Sequence, residues 1–146
     1  MPTMYVISGC NGSGKTTASY TILSELLQCR AFVNSDEIAR GISPFDLSNA
    51  AIDAGRVMLK RVRELSESKE DFAIETTLAV RSFASLIEKT KKKGYDVMLV
   101  YFWLKSPDLA VKRVQSRVMA GGHTIPENVI RRRYWSGIQN LFNIYI

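Results

Sequence analysis

The stretch "MYVISGCNGSGKTT", residues 4–17, decides how the rest of the chain reads. "MYVIS" is a short apolar run that stops at Gly9, the pattern of a buried strand. Gly9-Cys10-Asn11-Gly12-Ser13-Gly14-Lys15-Thr16 then matches G-x-x-x-x-G-K-[ST] at every defined position. Helical spacing follows: Ile22, Leu23, Leu26 and Leu27 fall on one side of a helix expected from Lys15 to Gln28. Strand, glycine-rich loop and helix are the context that this motif requires. Its glycines let successive backbone N–H groups turn inward and form a concave anion site, to which the helix start adds its own unpaired N–H groups. Lys15 is placed to reach the β- and γ-phosphates of a nucleoside triphosphate, and the Thr16 hydroxyl to ligate Mg2+. The expected nucleotide-binding set is Gly9, Asn11, Gly12, Ser13, Gly14, Lys15, Thr16 and Thr17, joined by Arg113 from further along the chain.

Outward from the loop, apolar runs alternate with amphipathic ones. "AFVNS" at 31–35 and "FAIE" at 72–75 read as strands, and "YDVMLVYFWL" at 95–104 as a strand apolar enough to be covered on both faces. Between them, Ala51, Ala54, Met58, Val62 and Leu65 make the buried stripe of a long helix from Ser48 to about Ser66. A further helix is expected from Val80 to Lys93, with a lysine-rich last turn and Gly94 as its stop. Ser106 and Pro107 open the next helix, which should end near Gly121-Gly122. In "TIPE", Thr124 and Glu127 have capping-box spacing, and Ile130, Tyr134, Ile138 and Leu141 form one stripe beyond them. Strands alternating with helices predict right-handed βαβ units in a three-layer α/β/α domain with a mostly parallel sheet. Residues 1–146 read as one domain with a helical, arginine-bearing lid.

Composition narrows the class of protein. The chain has 146 residues, 46% of them hydrophobic, enough for one ordinary core. No apolar run reaches the roughly 18 residues of a membrane-spanning helix, and "MPTMYVISG" lacks the basic start and cleavage site of a secretory leader. Two separated cysteines, Cys10 and Cys29, make no disulfide framework, so a reduced, cytoplasmic setting is expected. With a single histidine, His123, there is no zinc site and no catalytic role for that residue. The net charge of +6 is compatible with a phosphate-rich ligand or with a solvated basic face.

Which nucleotide, and for what? The Asn-Lys-x-Asp element by which GTPases read guanine is missing, so ATP is the expected nucleotide. The small chain and the Glu75 strand end favour a phosphotransferase over a motor ATPase. Asp36 lies just past the second strand, at the edge that faces the ligand crevice in open α/β sheets. There it could take the proton of an attacking hydroxyl, or cap a short helix, or do both. Glu75, Thr76 and Thr77 end the third strand with one carboxylate and two hydroxyls, suited to substrate groups or a metal-bound water. Arg113 and Arg117 share a helix face, and Arg131, Arg132 and Arg133 follow the "GGH" turn at 121–123. Arginines there could clamp a transferring phosphoryl group or serve as solvated surface.

Taken in order, "GCNGSGKTT", "NSDEIA", "FAIETTLA" and "RVQSRVMAGGHTIPENVIRRRY" resemble the zeta-toxin-like family of P-loop kinases over nearly the whole chain. The resemblance implies a doubly wound ATPase core and transfer of the γ-phosphoryl of ATP to a hydroxyl, with UDP-N-acetylglucosamine the acceptor of characterised toxins. By position it makes Lys15 and Thr16 the phosphate and Mg2+ residues and Asp36 the base. Glu75 and Thr77 go to the substrate and metal side, and Arg117 and Arg132 become phosphate clamps. Cys10 stands where many relatives carry proline. The chain ends at "NLFNIYI", where relatives continue into a strand expected to lie beside the P-loop strand and to supply part of the adenine pocket. Alternatives are a polynucleotide 5′-hydroxyl kinase and a truncated relative that binds nucleotide without catalysis. The expected partners are ATP and a small hydroxyl acceptor; nucleic acid and membrane are not expected. An antitoxin is compatible with the resemblance, but no residue identifies one.

Overall fold

The computed structural model describes residues 1–121 and 124–146. The expected turn at Gly122 and His123 therefore lies outside the described residues, as do the Leu26 and Ser48 side chains. The elements are β1 (Thr3–Gly9), α1 (Lys15–Thr21, continued by a π-helical turn Ile22–Leu26), β2 (Phe32–Asn34), α2 (Ser35–Ile42) and α3 (Leu47–Ser68). They continue as β3 (Phe72–Thr76), α4 (Phe83–Lys92), β4 (Asp96–Phe102), α5 (Pro107–Met119) and α6 (Glu127–Asn140), which ends in a π-helical turn Leu141–Tyr145. The four strands are parallel in the order β2-β3-β1-β4.

Alternation along β1 builds the three layers. Met4 and Val6 join Phe72 and Ile74 of β3 under Met58, Val62 and Leu65 of α3. Tyr5 and Ile7 point the other way, with Ala73, to Leu23 and Cys29 behind α1. The period-two pattern thus feeds two cores from one strand. A third cluster joins Cys10 of the loop to Val111 and Val114 of α5 and to Ile130 and Tyr134 of α6, so the helices bearing the arginines share packing with the loop itself.

Four expectations are corrected. β4 is an edge strand and not covered on both faces: Met98 is 50% exposed, and Trp103 beyond it 66%. The place beside the P-loop strand is already filled, because β1 pairs with β3 on one side and β4 on the other. α4 starts at Phe83 and not at Val80, because the hydroxyls of Thr76 and Thr77 accept the N–H groups of Leu78 and Ala79 and hold that segment as a loop. The capping box is not formed: Pro126 precedes α6 without a side-chain cap, and Glu127 is taken by Arg131 at 3.0 Å. Ser106 does cap α5, accepting the Leu109 N–H at 3.2 Å.

Candidate functional site

β1 ends at Gly9, and the chain turns sharply to enter α1 at Lys15. Gly12 has φ 82°, and a Cβ there would meet the Ala110 carbonyl of α5 at 2.8 Å. No other residue fits that close approach without shifting α5. The Ser13 N–H closes the turn onto the Cys10 carbonyl at 3.1 Å. The Ser13 hydroxyl is buried without a hydrogen-bond partner, the one such side-chain atom among the described residues. An orphaned buried donor is costly unless a ligand completes it. Lys15 is only 8% exposed, and its ammonium lies across the loop, donating to the Cys10 carbonyl at 3.3 Å. These features fit a phosphate.

Glu75, buried at the end of β3, organises the floor of the site. Its Oε1 accepts from the Thr16 hydroxyl at 2.6 Å and lies 3.8 Å from Lys15 Nζ; its Oε2 accepts from Asn34 Nδ2 at 2.7 Å. Burial pushes the Glu75 carboxyl above its ordinary range, while the Thr16 hydrogen bond and the Lys15 charge hold it down. Burial likewise pulls Lys15 down, opposed first by Glu75 and then by Asp36. Thr16 and Glu75 together present adjacent hard oxygens, a donor set that fits Mg2+, which takes one or two protein ligands beside substrate phosphates.

Asp36 lies in the first turn of α2, exposed to the crevice. It is not the cap: the cap is Asn34, whose Oδ1 accepts the Asp36 N–H at 2.9 Å. The capping alternative for Asp36 is thereby corrected, and its carboxylate faces the cleft. That cleft, of about 420 Å3, is bounded by Asn11, Lys15, Asp36, Glu75, Thr76 and Thr77 together with Arg132 and Arg133. A smaller recess of about 80 Å3 beside it joins Gly12, Thr16, Asp36 and Glu75 to Arg117. Arg113 lies over the loop, its Nη2 3.6 Å from where a Cβ on Gly14 would stand. Gly9 pairs with Phe102 of β4, and a Cβ there would meet the Phe102 carbonyl at 2.6 Å and the Ser13 hydroxyl at 2.8 Å. Thr17 is exposed on α1 and borders neither space, so it stands apart from the residues that the fold brings together.

Asn34 of the candidate site escaped sequence reasoning, and Arg133 was not singled out from its neighbours. Asn34 sits inside "NSDEIA", but an asparagine in a strand-to-helix turn reads as generic turn chemistry. Arg133 is one of three consecutive arginines, and only α6 packing shows which way each points. Its guanidinium donates to Asn11 Oδ1 at 3.1 Å. Burial lowers its pKa, and Asp36 opposes that. Arg131 turns away, to Asp108 at 2.7 Å and Glu127 at 3.0 Å.

The loop, the carboxylate floor and the arginine-bearing helices, on a parallel β2-β3-β1-β4 sheet, define a P-loop kinase fold. More narrowly, the chain belongs to the Zeta toxin family, which it matches over residues 1–142. An uncharacterized protein of Haemophilus influenzae is 32% identical over 126 residues, covering 86% of this chain and 88% of that protein. Among solved structures, a chain of the PezAT chromosomal toxin-antitoxin system of Streptococcus pneumoniae superposes with a TM-score of 0.73 at 17% identity. That match covers 99% of this chain and 65% of the other. Shikimate kinase from Acinetobacter baumannii gives 0.59 at 16% identity, covering 99% and 78% respectively. At those identities the structures share the fold. No described helix is long and apolar enough to cross a membrane.

Proposed function

We propose that this chain transfers the γ-phosphoryl group of ATP to a hydroxyl of a small acceptor. The family resemblance points to a nucleotide sugar such as UDP-N-acetylglucosamine. The observation that carries the reading is the convergence of Asp36, Lys15 and Arg132 on one cleft, beside a loop whose buried Ser13 hydroxyl lacks a partner. The Asp36 carboxylate accepts the proton of the acceptor hydroxyl as its oxygen bonds to the γ-phosphorus. The bond from that phosphorus to the β–γ bridging oxygen breaks, and ADP leaves. Lys15, Arg117, Arg132 and Arg133 offset the charge on the transferring group. Mg2+, held by Thr16 on the Glu75 side, would neutralise phosphate charge when bound.

The test is a screen of labelled ATP against nucleotide sugars and 5′-hydroxyl oligonucleotides, repeated with Asp36→Asn. Because Asn34 supplies the cap, the variant keeps its stability within a few tenths of a kcal/mol and keeps its ATP affinity. Its turnover falls by roughly 10² to 10⁴. Normal phosphorylation by Asp36→Asn would remove the base assignment, and transfer to oligonucleotides alone would move the acceptor class.

A further inference from the structure

A groove of about 740 Å3 lies outside the catalytic cleft, between α3 and α4. That is the size of a small-molecule site. Met58 and Leu59 of α3 face Phe83 and Leu86 of α4 across it, and Leu59 is 46% exposed. Ser35, Val80 and Phe83 border both this groove and the catalytic cleft, so the two spaces run into each other. The far end is tied shut by Lys93, which donates to Ser66 at 2.9 Å and to Glu67 at 2.5 Å. Arg63, Lys89, Lys92 and Lys93 line that end, and no carboxylate is among the described lining residues. From Asp36 outward, the surface therefore runs polar, then apolar, then basic.

We propose that the groove receives the distal part of the acceptor: an apolar or aromatic body that ends in an anionic group, carboxylate or phosphate. This rests on the reading of phosphoryl transfer from ATP to a hydroxyl, and it names an acceptor class other than the nucleotide sugar to which the family resemblance points. With the reacting hydroxyl against Asp36, the body lies on Met58, Leu59, Phe83 and Leu86. The anion reaches Arg63, Lys89 and Lys92. The interior of α3 leaves room for this at Gly55, where an added Cβ would meet nothing within 4 Å.

The experiment uses the full chain without nucleotide and 8-anilinonaphthalene-1-sulfonate as the probe, an aromatic body carrying one anion. Fluorescence titration should show saturable binding to the wild-type chain. Gly55→Leu, whose Cβ meets nothing within 4 Å and whose side chain is meant to fill the groove, and the Lys89→Gln/Lys92→Gln pair should each weaken it by roughly tenfold or more. Mg-ATP affinity should stay unchanged in both, and neither should melt lower than the wild type; Gly55→Leu, which replaces a mid-helix glycine, should melt somewhat higher. Equal probe binding by Gly55→Leu, or no saturable binding to the wild type, overturns the proposal. Since this readout needs no turnover, probe binding by a chain that phosphorylates nothing would sink the kinase reading and leave the groove as an anion site. Where an acidic acceptor is phosphorylated, Lys89→Gln/Lys92→Gln should raise its KM at constant kcat; an unchanged KM overturns the assignment of the groove to the acceptor.

Discussion

The Asn34 amide donates through Nδ2 to Glu75 and accepts the Asp36 N–H through Oδ1, so one side chain fixes both the floor carboxylate and the helix carrying the proposed base. Asn34→Ala loses the cap and leaves a buried carboxylate oxygen short of a donor. The expected cost is about 1 to 3 kcal/mol, read by denaturant titration, and a change below a few tenths would contradict the double role. Lys15 and Glu75 are coupled in the same way. In Lys15→Gln, Glu75 loses the positive charge that holds it down, so its carboxyl should titrate at a still higher pH than in the wild type. Carbon-13 NMR titration of that carboxyl checks this; a midpoint that stays or falls would be inconsistent with the geometry. The sign for stability follows. A carboxyl raised on folding contributes stability that is present at low pH and lost as pH rises from the ordinary carboxylate range through its folded value. Glu75→Gln should remove that segment of the pH dependence.

At the scale of the element, α6 distributes three consecutive arginines by its own rotation. Arg131 ties α6 to α5 through Asp108, while Arg132 and Arg133 border the cleft. Arg131→Ala should leave turnover near normal and stability little changed, because exposed ion pairs contribute little. Arg132→Ala and Arg133→Ala should each slow transfer by roughly 10² to 10³, the order lost with a single transition-state donor. ATP affinity should fall far less. Steady-state kinetics on the three variants make the comparison, and equal losses at all three would mean that helix stability and not site placement was being measured.

At the scale of the molecule, α6 is seated on the carboxyl edge of the sheet. Asn140 Nδ2 donates to the Leu78 carbonyl at 2.7 Å, and the Tyr134 hydroxyl to that of Leu104 at 2.7 Å. Gly137 lets the helix come that near: a Cβ there would stand 2.6 Å from the Thr77 carbonyl and 3.2 Å from the Tyr101 hydroxyl. Gly137→Ala must push α6 away from the cleft. Overpacking of this kind costs about 1 to 3 kcal/mol, and turnover should fall as Arg132 and Arg133 are displaced. Wild-type melting and activity in that variant would show that the seat is not needed.

What the sequence determined by itself was whatever depends on neighbours along the chain. "GCNGSGKT" between an apolar run and a helical stripe dictates the loop, while short apolar runs locate the four strands and three-to-four spacing most of the helices. The Ser106 cap was legible for the same reason, since cap and acceptor are three residues apart. Tertiary structure decided what depends on residues far apart in the chain. That β4 is an edge strand follows from sheet order, which local hydrophobicity does not encode. The Asn34 cap of α2 is local, but the second bond of the same amide, to Glu75 41 residues away, is not. Which two of the three arginines border the cleft was settled by how closely Gly137 lets α6 approach the Thr77 carbonyl just after β3, because a helix pattern fixes angles between side chains and not the direction of the site.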